Sequence, residues 1–280
     1  MIYLPIIGAF IESMGTTLEK RFFSRTKMAS SKYATISFLF IVLSMIPFVY
    51  FFWSYQNGAF ETHNLILLSV IVLFSAAGNL CTYYALKGES IAEFEPIWLT
   101  QPLFTILLAF LVYGTGGNTY VFLLAVVASL TLVLTHIKKK HLSFNRYTIF
   151  LLLGNLFYAI ELVASRQALH FMSPFTLYFI RCIFVFIILA LLYRPNVSKV
   201  SGSSLRTIFY IAVLWVFYRL ILYQGYVLYG VIFTTMVFIL APVFLLVLAK
   251  ILLGEKMTLK QGITTLIILI CVGSAIYLSM

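Results

Sequence analysis

Ten apolar stretches, each about long enough to cross a bilayer, fill almost the whole of this 280-residue chain. They run over residues 2–18, 33–53, 64–86, 91–113, 118–137, 147–168, 172–193, 206–228, 230–253 and 261–279. A hydrocarbon core about 30 Å thick takes roughly 20 helical residues. Lipid offers no water to backbone N–H and C=O groups, so each stretch is expected to be an α-helix. The period-2 alternation of an outer-membrane barrel is absent. With 62% hydrophobic and 10% charged residues, the chain is far from the roughly 25% charged composition of soluble domains. The expectation is one all-α integral membrane domain with no soluble appendage and no cleavable leader.

The net charge of +11 is explained by topology rather than by nucleic acid. Ten spans place both termini on one face, here the terminal face. Of the 19 Lys and Arg residues, sixteen then fall at the opposite, basic face, and only Arg166 falls at the terminal face. The remaining two, Arg181 and Arg219, lie inside spans. Basic loops mark the cytoplasmic side, so both termini are expected outside a plasma membrane. The Lys138-Lys139-Lys140 cluster is expected to meet anionic lipid.

Several chemistries drop out. The chain has no Asp; its acids are all Glu, at 12, 19, 61, 89, 93, 95, 161 and 255. That excludes an aspartyl-phosphate pump, an aspartyl intramembrane protease and a Walker-type Asp. Cys81, Cys182 and Cys271 sit in apolar spans without metal-like spacing and read as buried thiols. His63, His136, His141 and His170 form no HxxxH or HExxH pattern. No metal, cofactor or enzymatic activity is expected.

The second half repeats the first at an offset of 140 residues. Tyr83 matches Tyr223, Pro102 matches Pro242, Phe104 matches Phe244, Leu108-Ala109 matches Leu248-Ala249, and Gly114 matches Gly254. Trp98 faces Phe238 in the same register. The paired prolines weigh most, because an interior proline removes a helix hydrogen bond and bends the helix. Five helices per half force the second half to enter from the other face. The expected architecture is therefore ten transmembrane helices in a 5+5 inverted repeat, with units 1–140 and 141–280. Inverted repeats are a signature of secondary transporters, with a site near the midplane between them.

The stretch Tyr223-Gln-Gly-Tyr-Val-Leu-Tyr, then Ala241-Pro242-Val-Phe-Leu-Leu-Val-Leu-Ala, Leu253-Gly254-Glu255-Lys256 and a last helix bearing Gly262 and Gly273 resembles the EamA type of the drug/metabolite transporter superfamily. The first half is similar more loosely: Tyr83-Tyr-Ala-Leu-Lys, Gln101-Pro102-Leu-Phe, and Gly114-Thr115 where a Gly-Glu pair would be typical. Gly154 and Met172-Ser-Pro-Phe…Arg181 are similar to that family's sixth and seventh helices. The resemblance implies a transporter of small metabolites and names no substrate.

Charges inside spans mark functional candidates. Glu12, Glu161, Arg181 and Arg219 sum to zero, so mutual pairing is open. Trp215, Arg219, Tyr223 and Tyr226 share a face of the eighth helix. The repeat offset sets Asn79 against Arg219 and Tyr83 against Tyr223. Tyr158 and Asn155 flank Glu161. A guanidinium among aromatic rings suits a carboxylate or phosphate, and the rings suit an apolar or cationic part. These eight residues (Arg219, Tyr223, Trp215, Tyr226, Asn79, Tyr83, Tyr158 and Asn155) are the substrate-binding candidates. The alternative is that Arg219 pairs with Glu161 and the tyrosines pack. Glu161 and Glu12 are proton-coupling candidates, since a carboxyl in a low-dielectric span can trade its charge for a proton. Pro102, Pro242 and Glu95 are hinge or gate candidates. For Glu93 and Glu95 a helix-start role competes, through the capping pattern Ser90-Ile-Ala-Glu93.

Taken together, the reading is a secondary active transporter of a small polar metabolite (an amino acid, amine or similar). It would work by alternating access, driven by protons or exchange. The alternative is a flippase for a lipid-linked headgroup. The partners expected are the substrate and the bilayer, without nucleic acid; a homodimer is left open.

Overall fold

A computed structural model describes residues 3–26, 28–88, 97–114, 119–136, 146–194, 200–244, 247 and 259–279. Among them, regular structure is helical apart from one isolated bridge between Tyr55 and Met172. The helices are α1 (Tyr3–Arg25), α2 (Ser30–Met45), α3 (Thr62–Gly88), α4 (Gln101–Tyr113), α5 (Thr119–His136), α6 (Arg146–Ala168), α7 (Pro174–Tyr193), α8 (Gly202–Tyr229), α9 (Val231–Phe238) and α10 (Leu259–Ser279). Through a 3-10 turn at Ile46–Phe48 and a last turn at Val49–Phe52, α2 becomes a span of 23 residues, Ser30–Phe52. By length and composition this span, α3, α6, α7 and α8 each suffice to cross a membrane. The stretches Gln101–Tyr113, Thr119–Thr131, Val231–Phe244 and Gly262–Leu278 are shorter apolar helices.

Local chemistry sets the ends. Ser173 caps α7, its hydroxyl accepting from Thr176 N–H at 3.2 Å, and Pro174 occupies the first turn, where its missing N–H costs nothing. Ser201 caps α8 in the same way, accepting from Ser204 N–H at 3.3 Å. Gly230, with φ of 80°, makes the reversal between α8 and α9. That left-handed backbone is one that glycine adopts without a side-chain clash. α1 extends through Arg25, well past the apolar stretch ending at residue 18, because Leu18, Phe22 and Phe23 continue its packing against Tyr33 and Ile36.

The two halves interdigitate. α1 packs on α8, and α6 packs on α3. α2 lies on α8, and α7 lies on α3; α4 touches α6, and α9 touches α1. The pairs α2 with α7, α4 with α9, and α5 with α10 each join a helix to its own counterpart. Replacing each helix by the one five places along returns these same contacts. The fold therefore has an internal two-fold axis, and the odd number of helices per half makes the repeat inverted. Close approach depends on small residues. A Cβ added to Gly8 of α1 would lie 2.4 Å from Phe238 Cζ and 2.7 Å from Ile221. On the other side, a Cβ on Gly154 of α6 would meet Thr82 at 3.0 Å and Cys81 at 3.2 Å. The large apolar side chains left exposed, such as Tyr50, Leu111 and Tyr277, point away from this core, toward where lipid lies.

At the terminal face, the segments after α2 and after α6 are zipped together. Gln56 N–H donates to Phe171 O at 2.9 Å, Ser173 N–H to Ser54 O at 3.0 Å, and Ser54 N–H to Thr176 Oγ1 at 2.9 Å. Both segments lie on one face, as the parity of the helices requires.

Candidate functional site

Both proline helices are broken at equivalent places. In α4 the chain is helical at Ile97–Trp98, turns at Leu99–Thr100, and restarts with Pro102 in the first turn. In α9 the helix stops at Phe238, turns at Ile239, and resumes at Leu240 with Pro242 two residues on. Leu99 and Ile239 are 140 residues apart, the repeat offset. Between the two breaks lies a cavity of about 50 Å³. Pro102 and Pro242 both line it, as do Trp98 and its counterpart Phe238, so the cavity straddles the internal axis. Glu12, Gln101 and Tyr226 add polarity to its wall.

Next to it is a buried charge cluster drawn from α3, α6, α7 and α8. Glu161 is fully buried and Arg181 is 3% exposed. Arg181 Nε lies 3.3 Å from Glu161 Oε1, and Arg219 Nη1 lies 3.4 Å from Oε2. Tyr223 donates its hydroxyl to Oε1 at 2.9 Å. Ser165 adds a hydroxyl at 3.1 Å. Arg181 Nε also donates to Ser75 Oγ at 2.9 Å. Arg219 further lies over the rings of Tyr223 at 5.5 Å and Tyr218 at 5.9 Å. Burying charges is expensive unless partners converge like this. Counting about 1.5 Å per residue, Glu12, Glu161, Arg181 and Arg219 all sit roughly 10–15 Å inside the terminal face. The pairing of Arg219 with Glu161 is thus present, with Arg181 as a second cation.

The other sequence candidates are distributed as follows. Tyr226 lines the cavity and its hydroxyl lies 3.3 Å from Thr235 Oγ1. Trp215 packs beside Gly15 and edge-on to Tyr218. Tyr158 stands edge-on to Trp98 at 5.7 Å and covers Gly78. Asn79 donates to its own helix, at Ser75 O, over 2.7 Å. Asn155 is fully buried and donates to Ile97 O at 2.6 Å and Thr100 Oγ1 at 3.0 Å, in the α4 break. Tyr83 packs with the Phe22–Tyr33 cluster. Glu93, Glu95 and Glu255 and the lysines 138–140 lie outside the described residues. All three cysteines are buried and unpaired. Residues that the sequence reading did not single out are Ser165, which bonds Glu161, and Gln101 and Thr235 in the cavity wall. Glu19, close to Tyr33 and Tyr83, is another. Ser165 falls one turn after Glu161, a spacing that signals contact; the others carried no such sign.

The EamA-like transporter family matches residues 1–137 and again 145–277, and the chain belongs to it. The protein is a multi-pass membrane protein and a transporter of the drug/metabolite type. No curated protein matches the sequence. Solved structures do match. A crystal structure described only as that of a protein aligns with TM-score 0.70 over 99% of this chain and 95% of its own, at 14% identity. At that identity the likeness concerns the fold alone.

Proposed function

We propose that the protein is a secondary active transporter that moves a small polar metabolite by alternating access, exchanging it for protons or for a counter-substrate. The observation that carries this reading is the cavity on the internal axis, bounded by two equivalent helix breaks. A volume of about 50 Å³ holds roughly three water molecules. A metabolite needs more room, so substrate must enter as the walls move. The breaks before Pro102 and Pro242 are where α4 and α9 can swing with the fewest hydrogen bonds lost. The inverted repeat then gives the second state its form: each half takes the conformation of the other, and the cavity opens to the opposite face.

Glu12 and Tyr226 contact the substrate in this scheme, Pro102 and Pro242 act as hinges, and Arg219 with Tyr223 closes the site behind them. Glu161 holds the surrounding helices. Glu12 is the coupling carboxyl, because it faces the cavity and forms no ion pair among the described residues. In this scheme the chain sits in the plasma membrane with both termini outside, an orientation its basic loops support.

The test is counterflow and charge displacement in proteoliposomes, with a panel of amino acids, amines, phosphorylated sugars and nucleotides, beside Tyr226→Ala. Saturable flux of one class, lost in a variant that keeps its melting temperature, supports the reading. No flux of any class in either assay overturns it.

A further inference from the structure

The cavity's own chemistry selects among polar substrates. Among the described residues, the charged group in its wall is Glu12. The nearby guanidinium of Arg219 is held by Glu161 at 3.4 Å and by the Tyr218 and Tyr223 rings. Neither Arg219 nor Arg181 lines the cavity. The rest of the wall is aromatic and oxygen-bearing. Trp98, Tyr218, Tyr226 and Phe238 surround the space. Gln101 donates one amide N–H to Thr105 Oγ1 at 2.9 Å, and its carbonyl oxygen remains able to accept from a ligand. We propose that the cavity, widened as its walls move, binds a small organic cation, a primary or methylated ammonium, with Glu12 as counter-charge and the four aromatic side chains as its cage.

Ring faces attract cations most strongly where water is excluded, and a carboxylate adds a charge-assisted hydrogen bond. An anion placed beside Glu12 meets the opposite outcome. Two like charges about 4 Å apart, at an effective dielectric of about 20, disfavour each other by roughly a thousandfold in an equilibrium constant. The internal symmetry also fixes the stoichiometry. The position equivalent to Glu12 is Leu152, 140 residues on. Among the described wall residues only this half supplies a charge, which supports a single cation site on the axis. Aromatic walls suit an alkylated ammonium better than a bare metal cation, which prefers a shell of oxygens.

This inference rests on the transport reading of the same cavity, and its test is kept separate. Full-length protein in nanodiscs is titrated with ethylammonium, choline and tetramethylammonium chlorides, and with sodium acetate and sodium phosphate at matched ionic strength. Binding is read from thermal stability and tryptophan fluorescence. At least one amine is expected to bind tenfold or more tighter than acetate. Glu12→Gln should lose that binding tenfold or more. Glu12→Asp and Gln101→Leu, which keep the carboxylate, should weaken it by a smaller factor and serve if Glu12→Gln fails to fold. Preference for acetate or phosphate overturns the proposal, as does amine binding that survives in every Glu12 variant. Amines that bind but show no counterflow overturn the transport reading while leaving the cation site standing. Flux of anions without amine binding does the reverse.

Discussion

The two helix breaks stand at equivalent places and are finished differently. In α4 the amide of Asn155, reaching from α6, bonds Ile97 O and Thr100 Oγ1 at 2.6 and 3.0 Å. In α9 the position that corresponds to Asn155 is Gly15 on α1, which has no side chain to offer and instead makes room for Trp215. The same contrast extends to the charges. α6, which pins the α4 break, also carries Glu161 with two arginines and two hydroxyls around it. α1, which packs against α9, carries Glu12 facing the cavity without an ion pair among the described residues. An inverted repeat supplies two copies of one backbone. Here, among the described residues, sequence divergence has given one copy side-chain anchors that the other lacks, which makes the first the expected frame and the second the expected adjustable side. Substitutions in the frame should cost stability, and substitutions on the α1–α9 side should cost function.

The largest expected effect is at Glu161. Glu161→Ala leaves Arg181 and Arg219 buried without their shared carboxylate, a loss of about 3–5 kcal/mol. Melting in detergent should fall steeply, or the variant should fail to accumulate. Glu12→Ala, which breaks no ion pair, should cost less than about 1 kcal/mol and abolish flux. Equal destabilisation by the two would remove the distinction between frame and adjustable side.

Next comes Gly8→Ala. The new Cβ would sit 2.4 Å from Phe238 Cζ, so the ring that lines the cavity must move. Overpacking of this kind costs about 1–3 kcal/mol. Gly15→Ala meets Trp215 at an ordinary 3.7 Å and should be nearly neutral. Thermal melts of the pair test this, and the altered wall in Gly8→Ala should shift substrate affinity as well.

Much of this frame was legible in the sequence. The ten spans follow from length and hydropathy alone, and the inverted repeat follows from two prolines in register and an odd helix count. The company of Arg219, Glu161 and Tyr223 was legible too, because buried charges must find partners and few were available. The cavity's position was less so. Arg219 looked like its centre, but periodicity assigns a residue to a face of its helix and does not say which neighbour fills that face. Three-dimensional packing turned Arg219 toward Glu161 and gave the wall to Glu12, Gln101 and Thr235. Asn155 was hidden for a related reason. Its role depends on acceptors 55 or more positions earlier, at the break before Pro102, and no local pattern links the two. Ser75 was hidden in the same way, since nothing in the sequence places it beside Arg181, 106 positions on.

The smallest expected effect bears most directly on the contrast between the two breaks. Asn155→Ala removes the amide from the α4 break. Hydrogen bonds between membrane helices average about 0.6 kcal/mol and reach about 1.7, and losing the buried, unpartnered Asn155 Oδ1 offsets part of that. The stability change should therefore stay near 1 kcal/mol. Local dynamics should change more clearly. In the wild type, amides around Thr100–Phe104 should exchange with deuterium more slowly than those around Ile239–Phe244, because among the described residues the side-chain tie to a neighbouring helix is at the first break. In Asn155→Ala the two should approach each other. If α4 and α9 already exchange alike in the wild type, the asymmetry has no dynamic meaning, and both breaks hinge equally. If Asn155→Ala slows α4 instead, the amide serves to hold the break open rather than to anchor it. A faster α4 with flux retained would show that the frame stabilises the transporter without setting its rate.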